Sequence, residues 1–318
     1  MDKNHWLKIA CYLDGRGGRT VFGTDEALQS DRTHWVHLDY TEQASADWMS
    51  ANGIPDGVIE ALTAAETRPR ASEVHGGLLV YLRGVNLHPG ARPEDMIALR
   101  LWLGPHGVIT TQKRTLVTVE TVEGSLAGGD GPVSASGLVA RLVDELTWRM
   151  EDVIENLEAE VESCAEQLEA SPTMSLTSQL SLLRRRAITL RRYLAPQREA
   201  LAKLQSDRHF GEDDILLVRE ASDRLQRLLE DLDAAREHAT LLQEEVFSVQ
   251  NEAINDRMYL LAMISALFLP LGFLTGLFGI NVGGLPGVEN DKAFLWFCAG
   301  MTVIAIGVLI WMRKRRWL

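Results

Sequence analysis

The residues closing a long apolar run, Gly279-Ile280-Asn281, have the chemistry of a cation entrance. Glycine lets the chain leave a helix, and the freed end carbonyls and the Asn281 amide oxygen present hard acceptors at the negative end of the helix dipole. Neutral oxygens hold a hydrated divalent ion through its water shell without trapping it, whereas thiolate or imidazole ligands bind zinc too tightly for passage. The tripeptide alone decides little, because glycine followed by asparagine is also a common helix stop.

Upstream, steps of alternating threes and fours stay on one helix face and collect Asn255, Met258, Ala262, Ser265, Leu269, Gly272, Gly276 and Gly279, a small or polar stripe. The other faces carry Tyr259, Leu260, Ile264, Leu267, Phe268, Leu271, Phe273, Leu274 and Phe278. The same spacing continues the stripe backwards through Asn251, Ser248 and Glu244. Small residues such as the Gly272-x-x-x-Gly276 pair let transmembrane helices pack closely. The other reading is a pore lined by one such helix from each of several subunits, with methionine and leucine rings as narrow points between amide and hydroxyl rings. The upstream asparagines favour the pore, since packing does not require them.

The element that must position these groups is long enough to cross a bilayer. Met258–Phe278 is 21 residues without a charge, about what a helix needs to span a hydrocarbon core roughly 30 Å thick. A second uncharged stretch, Phe294–Met312, has 19 residues. Arg257 precedes the first span and Arg313-Lys314-Arg315-Arg316 follows the second, while the link 279–292 has one lysine against Glu289 and Asp291. The basic bias of short flanks places both termini in the cytoplasm and the link outside. Glu212–Arg257 contains no Pro or Gly and runs into the first span without a breaker, so 212–278 as one helix would be about 100 Å long.

The remainder reads as an α+β cytosolic domain, a mixed sheet with helices on its faces, over residues 1–135. Strand-like runs lie at Trp6–Leu13, His34–Leu38, Gly77–Leu87, Met96–Leu103 and Val108–Gln112, and helix-like runs near Glu42–Ala51, Pro55–Ala64 and Leu116–Leu126. Residues 136–257 turn helical and form a stalk. Residues 258–318 form a transmembrane domain, with spans at 258–278 and 293–312, a loop at 279–292 and a basic tail at 313–318. Within the stalk, Ser171-Pro172 breaks one helix from the next, Met174–Ser206, which carries Arg184, Arg185, Arg186, Arg191 and Arg192. Antiparallel partners for these arginines are expected in Glu151, Asp152, Glu155, Glu158, Glu160, Glu162 and Glu166, which argues against nucleic acid.

Of 32 basic and 44 acidic residues, 5 and 2 fall in 258–318, leaving 27 and 42 in the first 257 residues, a formal net of −15. Such a body repels nucleic acid and, lining a vestibule, would concentrate cations. Cys11, Cys164 and Cys298 are an odd number and far apart, with no C-x-x-C, which argues against a disulfide framework or a structural zinc knuckle. No two of the eight histidines sit at i,i+4 on one helix. There is no G-x-x-x-x-G-K-[ST], no H-E-x-x-H and no G-x-S-x-G, so no enzyme is expected and no cofactor.

A two-span C-terminal hairpin whose first helix ends in Gly-x-Asn, after a long charged helix and an α/β domain, resembles the CorA family of divalent-cation transporters, whose usual tripeptide is Gly-Met-Asn. Several features are similar to its bacterial zinc-transporting branch, ZntB. They are Ile280 in place of methionine, the glycine-rich link Val282–Val288, Asp14-Gly15-Arg16-Gly17-Gly18, Glu66-Thr67-Arg68-Pro69-Arg70, Tyr193-x-Ala195-Pro196-Gln197-Arg198 and the basic tail ending in Trp317-Leu318. The resemblance implies a homopentameric funnel in the bacterial inner membrane, with the first span lining the pore and the second facing lipid.

Carried over by position, Gly279, Ile280 and Asn281 form a periplasmic selectivity loop, with a transient hydrated ion near Asn281. Asn255, Met258, Ala262, Ser265, Leu269, Gly272 and Gly276 line the conduit, with Glu244, Ser248 and Asn251 on the same stripe. The expected partners are copies of the chain itself, the lipid bilayer, divalent cations and protons. The expected function is zinc transport, as uptake coupled to the proton gradient. The alternatives are zinc efflux, or a Mg2+, Co2+ or Ni2+ channel of the same fold.

Overall fold

The computed structural model describes residues 5–23, 26–170, 174–279 and 290–314. Apolar runs rich in β-branched and aromatic residues become the strands β1 (Leu7–Leu13), β3 (His34–Asp39), β5 (Gly77–Gly84), β6 (Ile97–Leu103) and β7 (Gly107–Gln112). Two further strands are short and mostly exposed or half-buried, β2 (Arg19–Val21) and β4 (Arg70–Val74). The helices are α1 (Gln43–Ala51), α2 (Asp56–Thr63), α3 (Val117–Gly128), α4 (Ala135–Ala170), α5 (Met174–Gln205), α6 (Glu212–Gly279) and α7 (Ala293–Lys314). The break expected at Ser171-Pro172 lies outside the described residues. Residues 1–243 form one compact unit and 244–318 a second.

In the first unit the sheet runs β2-β1-β3-β7-β6-β5-β4, with β3 and β7 parallel and every other pair antiparallel. The middle strands are buried on both faces because α1 and α2 cover one and α4 the other. The first face packs Trp48 and Met49 of α1 and Val58 and Leu62 of α2 onto Tyr12, Leu38, Tyr81, Trp102 and Ile109, each worth about 1.5–3 kcal/mol when fully buried. β4 and β5 meet through His75-Gly76, where both residues have positive φ (49° and 75°), the twist-matched two-residue hairpin.

Two arginines inside apolar strands secure the end of α2. Arg100, 1% exposed, donates from Nε and Nη2 to the Ala64 carbonyl (3.0 and 2.7 Å) and from Nη2 to Ala65 (3.2 Å). Thr111 Oγ1 donates to the Leu62 carbonyl at 2.6 Å and Tyr81 Oη to Ala61 at 2.9 Å. Three side chains thus meet four of the carbonyls at and just beyond the helix end, and a cation there also suits the dipole. Arg83 extends the clamp to the Thr67 carbonyl at 2.7 Å. β4 pairs with β5 only as far as Arg70↔Tyr81, so the Arg83 backbone N–H has no strand partner and donates instead to buried Gln197 Oε1 at 2.7 Å, which docks α5 on the sheet.

Asp14-Gly15-Arg16-Gly17-Gly18 is a turn between β1 and β2. Asp14 Oδ1 accepts the Arg16 and Gly18 amides, both at 2.8 Å, and these bonds hold its carboxyl below the usual carboxylate range. Gly17, at φ 98°, lies so close to the Gly129 carbonyl that a Cβ would collide, and its own carbonyl accepts the Gly131 amide. The run of glycines is therefore a docking turn rather than a phosphate loop.

The helices pair their charges differently from the sequence expectation. Of the α4 acids, Glu160 meets Arg186 of α5 at 2.7 Å, but Arg191 bonds Asp233 of α6 at 2.7 Å, and Asp144 and Glu151 of α4 lie 2.8 and 3.9 Å from Arg224 of α6. With α6 beside both helices, a carboxylate on α4 has two basic neighbours to choose between. One-dimensional order could not rank them.

Candidate ion pathway

In the second unit the first apolar run lies in α6 and the second forms α7, and both are long and apolar enough to cross a membrane. No Pro or Gly interrupts α6 before the bilayer-length run, so the helix continues into it. Pro270 lies inside the helix and has no amide proton for the Ala266 carbonyl, leaving one more neutral oxygen in the span.

At 100° per residue, Met258, Ala262, Ser265, Leu269, Gly272 and Gly276 fall within about 45° of one line on the helix surface. All six are exposed, Leu269 at 77% and Met258 at 64%. The half-buried residues of the same span, Met263, Leu267, Pro270, Leu271 and Leu274, cluster on the opposite side of the helix. α7 presents its own covered line, Ala293, Phe297, Met301, Ala305, Val308 and Met312, and Phe297 meets Phe278 of α6 with ring centroids 5.3 Å apart. Glu244, Ser248, Asn251 and Asn255 are exposed as well.

Ser265 Oγ donates to the Leu261 carbonyl at 2.8 Å, which spends its proton within the helix and leaves its lone pairs as acceptors. The stripe therefore offers neutral oxygen and open space. Gly279 is the last residue of α6; Ile280 and Asn281 lie outside the described residues.

Among the described residues no group of three or more His, Cys, Asp or Glu side chains is placed to hold a metal ion. His34, His75 and His106 line one cleft of about 280 Å3, but they do not converge on a point. Burial, then the nearby His106, holds His34 neutral with its pKa down to about 4, and burial does the same for His37. Cys11 is buried and its thiol is pushed up to about 11, again chiefly by burial, which makes it inert. Glu155, Glu158, Glu162 and His238 line a cleft of about 430 Å3 between α4 and α6. Burial, then Asp231 and Glu155, raises the Glu158 carboxyl.

The residues that sequence reasoning passed over are Arg83 and Arg100. Their signal was visible as an arginine inside an otherwise apolar strand, in Leu-Leu-Val-Tyr-Leu-Arg-Gly and in Ile-Ala-Leu-Arg-Leu-Trp-Leu. A buried arginine needs acceptors, and these found the carbonyls after α2.

A family model described as CorA-like Mg2+ transporter protein matches residues 30–314. The chain belongs to the CorA-like family of metal-ion transporters. A curated relative named Zinc transport protein ZntB, from Pectobacterium carotovorum subsp. carotovorum (strain PC1), is 33% identical over 312 residues, covering 97% of this chain and 95% of its own. A solved structure titled structure of the full-length CmaX protein superposes with a TM-score of 0.85 at 36% identity, covering 98% of both chains. The CorA magnesium transporter from Methanocaldococcus jannaschii superposes with a TM-score of 0.83 at 18% identity over 98% of this chain and 99% of that one, a likeness of fold. The mixed sheet, the long helix and the C-terminal apolar helix of this chain are thus the CorA-like architecture.

Proposed function

We propose that this chain carries zinc ions across the bacterial inner membrane, inward and coupled to the proton gradient, through a pore walled by the α6 stripe in a homopentamer. The observation that carries the choice of ion is the 33% identity over 97% of the chain to a protein named for zinc transport. The pore assignment rests on the uncharged stripe lying on the open side of α6, away from the half-buried face. A partly hydrated divalent ion passes a neutral wall without being captured. The basic residues flanking the spans orient both termini to the cytoplasm, and Asn281 forms the outer ring. The acidic surface of residues 1–257 draws the ion onward on the inner side.

The span 258–278 contains no Asp, Glu, His, Lys or Arg, so a coupled proton travels by water, by the ion's hydration shell or by groups at the ends such as Glu244. Zinc uptake into proteoliposomes is the test. The proposal expects flux that rises with an inward proton gradient and collapses in Asn281→Ala while the oligomer survives. Flux indifferent to the gradient removes the coupling, and flux unchanged in the variant removes the pathway. The family description favours magnesium as the competing cargo; block of zinc flux by magnesium at similar concentrations would replace zinc with that reading.

A further inference from the structure

A cleft of about 820 Å3 opens where the segment after α2 meets α5, lined by Glu66, Thr67, Arg68, Arg83, Arg192 and Tyr193. It joins two stretches that are far apart in the chain, Glu66–Arg70 and Tyr193–Arg198, for which the transport pathway has no use. Three guanidinium groups line it against one carboxylate. Among the described residues, Arg68, Arg83 and Arg192 form no ion pair with Glu66 or with any other acid. In a chain of formal charge −12, three arginines left without carboxylates are not explained by a shortage of acids.

The arginines are held in place by other means. Arg83 donates to the Met96 and Thr67 carbonyls (3.3 and 2.7 Å) and lies over the Tyr193 ring, 4.9 Å from its centroid. Arg192 lies 4.8 Å from the same centroid and donates to Tyr193 Oη at 2.7 Å. One aromatic ring thus orders two cations, which costs them little further entropy on binding a ligand. Just behind the wall, Arg83 Nε and Oγ1 of Thr67, both closed off from solvent, have no hydrogen-bond partner among the described residues.

We propose that this cleft binds the phosphate group of a small soluble molecule. Phosphate oxygens match the planar fork of guanidinium donors. The volume is that of a ligand pocket and exceeds what a bare ion fills. The proposal is independent of the transport reading, since it concerns residues of the first unit and is read by binding alone.

Calorimetric titration of the full-length, zinc-free oligomer in neutral detergent with inorganic pyrophosphate, at ionic strength held constant with sodium chloride, tests it. The expected result is saturable binding at one site per chain, weakened about tenfold or more in Arg68→Gln and in Arg192→Gln. Neither arginine bonds to the backbone, so folding is checked by the unchanged oligomer and melting temperature. Glu66→Gln, which removes the one acid, should tighten binding. Absence of saturable heat, equal affinity in the two arginine variants, or binding that appears only when phosphatidylglycerol is added would each overturn the assignment.

Discussion

The two units of this chain solve opposite problems. In residues 1–243 the central strands of the sheet are buried, and Arg100 and Arg83 of the same chain meet the carbonyls after α2. Among the described residues of 244–318 most large apolar side chains are exposed, from Met258, Phe268 and Leu269 to Phe294, Trp296 and Trp311. A surface of that size in water is untenable for a single chain. The first unit is complete as a folded object, while the second is finished by lipid and, under the proposed function, by further copies of itself.

That contrast can be broken most decisively on the stripe. Gly272→Leu should abolish zinc flux in proteoliposomes, because it fills the narrow wall, whereas Ile264→Ala on another face should leave flux near the native rate. Equal effects from the two would remove the distinction between an ion-facing and a lipid-facing side. In the first unit the largest effect is expected from Arg100→Leu, which strands two backbone carbonyls. A loss of about 4 kcal/mol is expected from denaturant unfolding of the first unit within the full chain, and an unchanged midpoint would show that the clamp holds nothing.

Buried neutral histidines make a smaller and pH-dependent contribution. His34 and His37 have folded pKa values near 4 against an ordinary 6.5, so the unfolded chain takes up protons that the fold refuses. Stability should be full above pH 6.5 and fall as the pH drops towards 4, by about 2–3 kcal/mol for each group. His37→Gln should flatten that slope in a melting-temperature profile, and an acid slope unchanged in the variant would assign the effect elsewhere. The smallest effect is expected from Arg191→Ala. Its ion pair with Asp233 is 45% and 37% exposed at the two side chains, and such a pair is worth less than about 0.5 kcal/mol.

Much of the first unit was legible because hydrophobic periodicity is a local property. The runs at His34, Met96 and Val108 read as strands and are strands, and the stretch from Glu212 onwards without a breaker reads as one helix and is one, α6. β2 and β4 escaped because they are short, polar edge strands whose pattern is set by their neighbours. The hairpin between β4 and β5 left a trace in His75-Gly76, a dipeptide suited to positive φ.

By itself the sequence determined that two uncharged runs of bilayer length close the chain and that one carries a small, neutral stripe at helical spacing, because length, charge and period need no partner. Only the tertiary structure decided which arginine meets which acid, and that the stripe lies on the open side of α6, opposite its half-buried residues. The same holds for Glu66–Arg70, Arg83 and Tyr193, which come together around one cleft. Side-chain neighbours separated by more than a hundred residues are fixed by packing in three dimensions, and a linear pattern carries no distance between them.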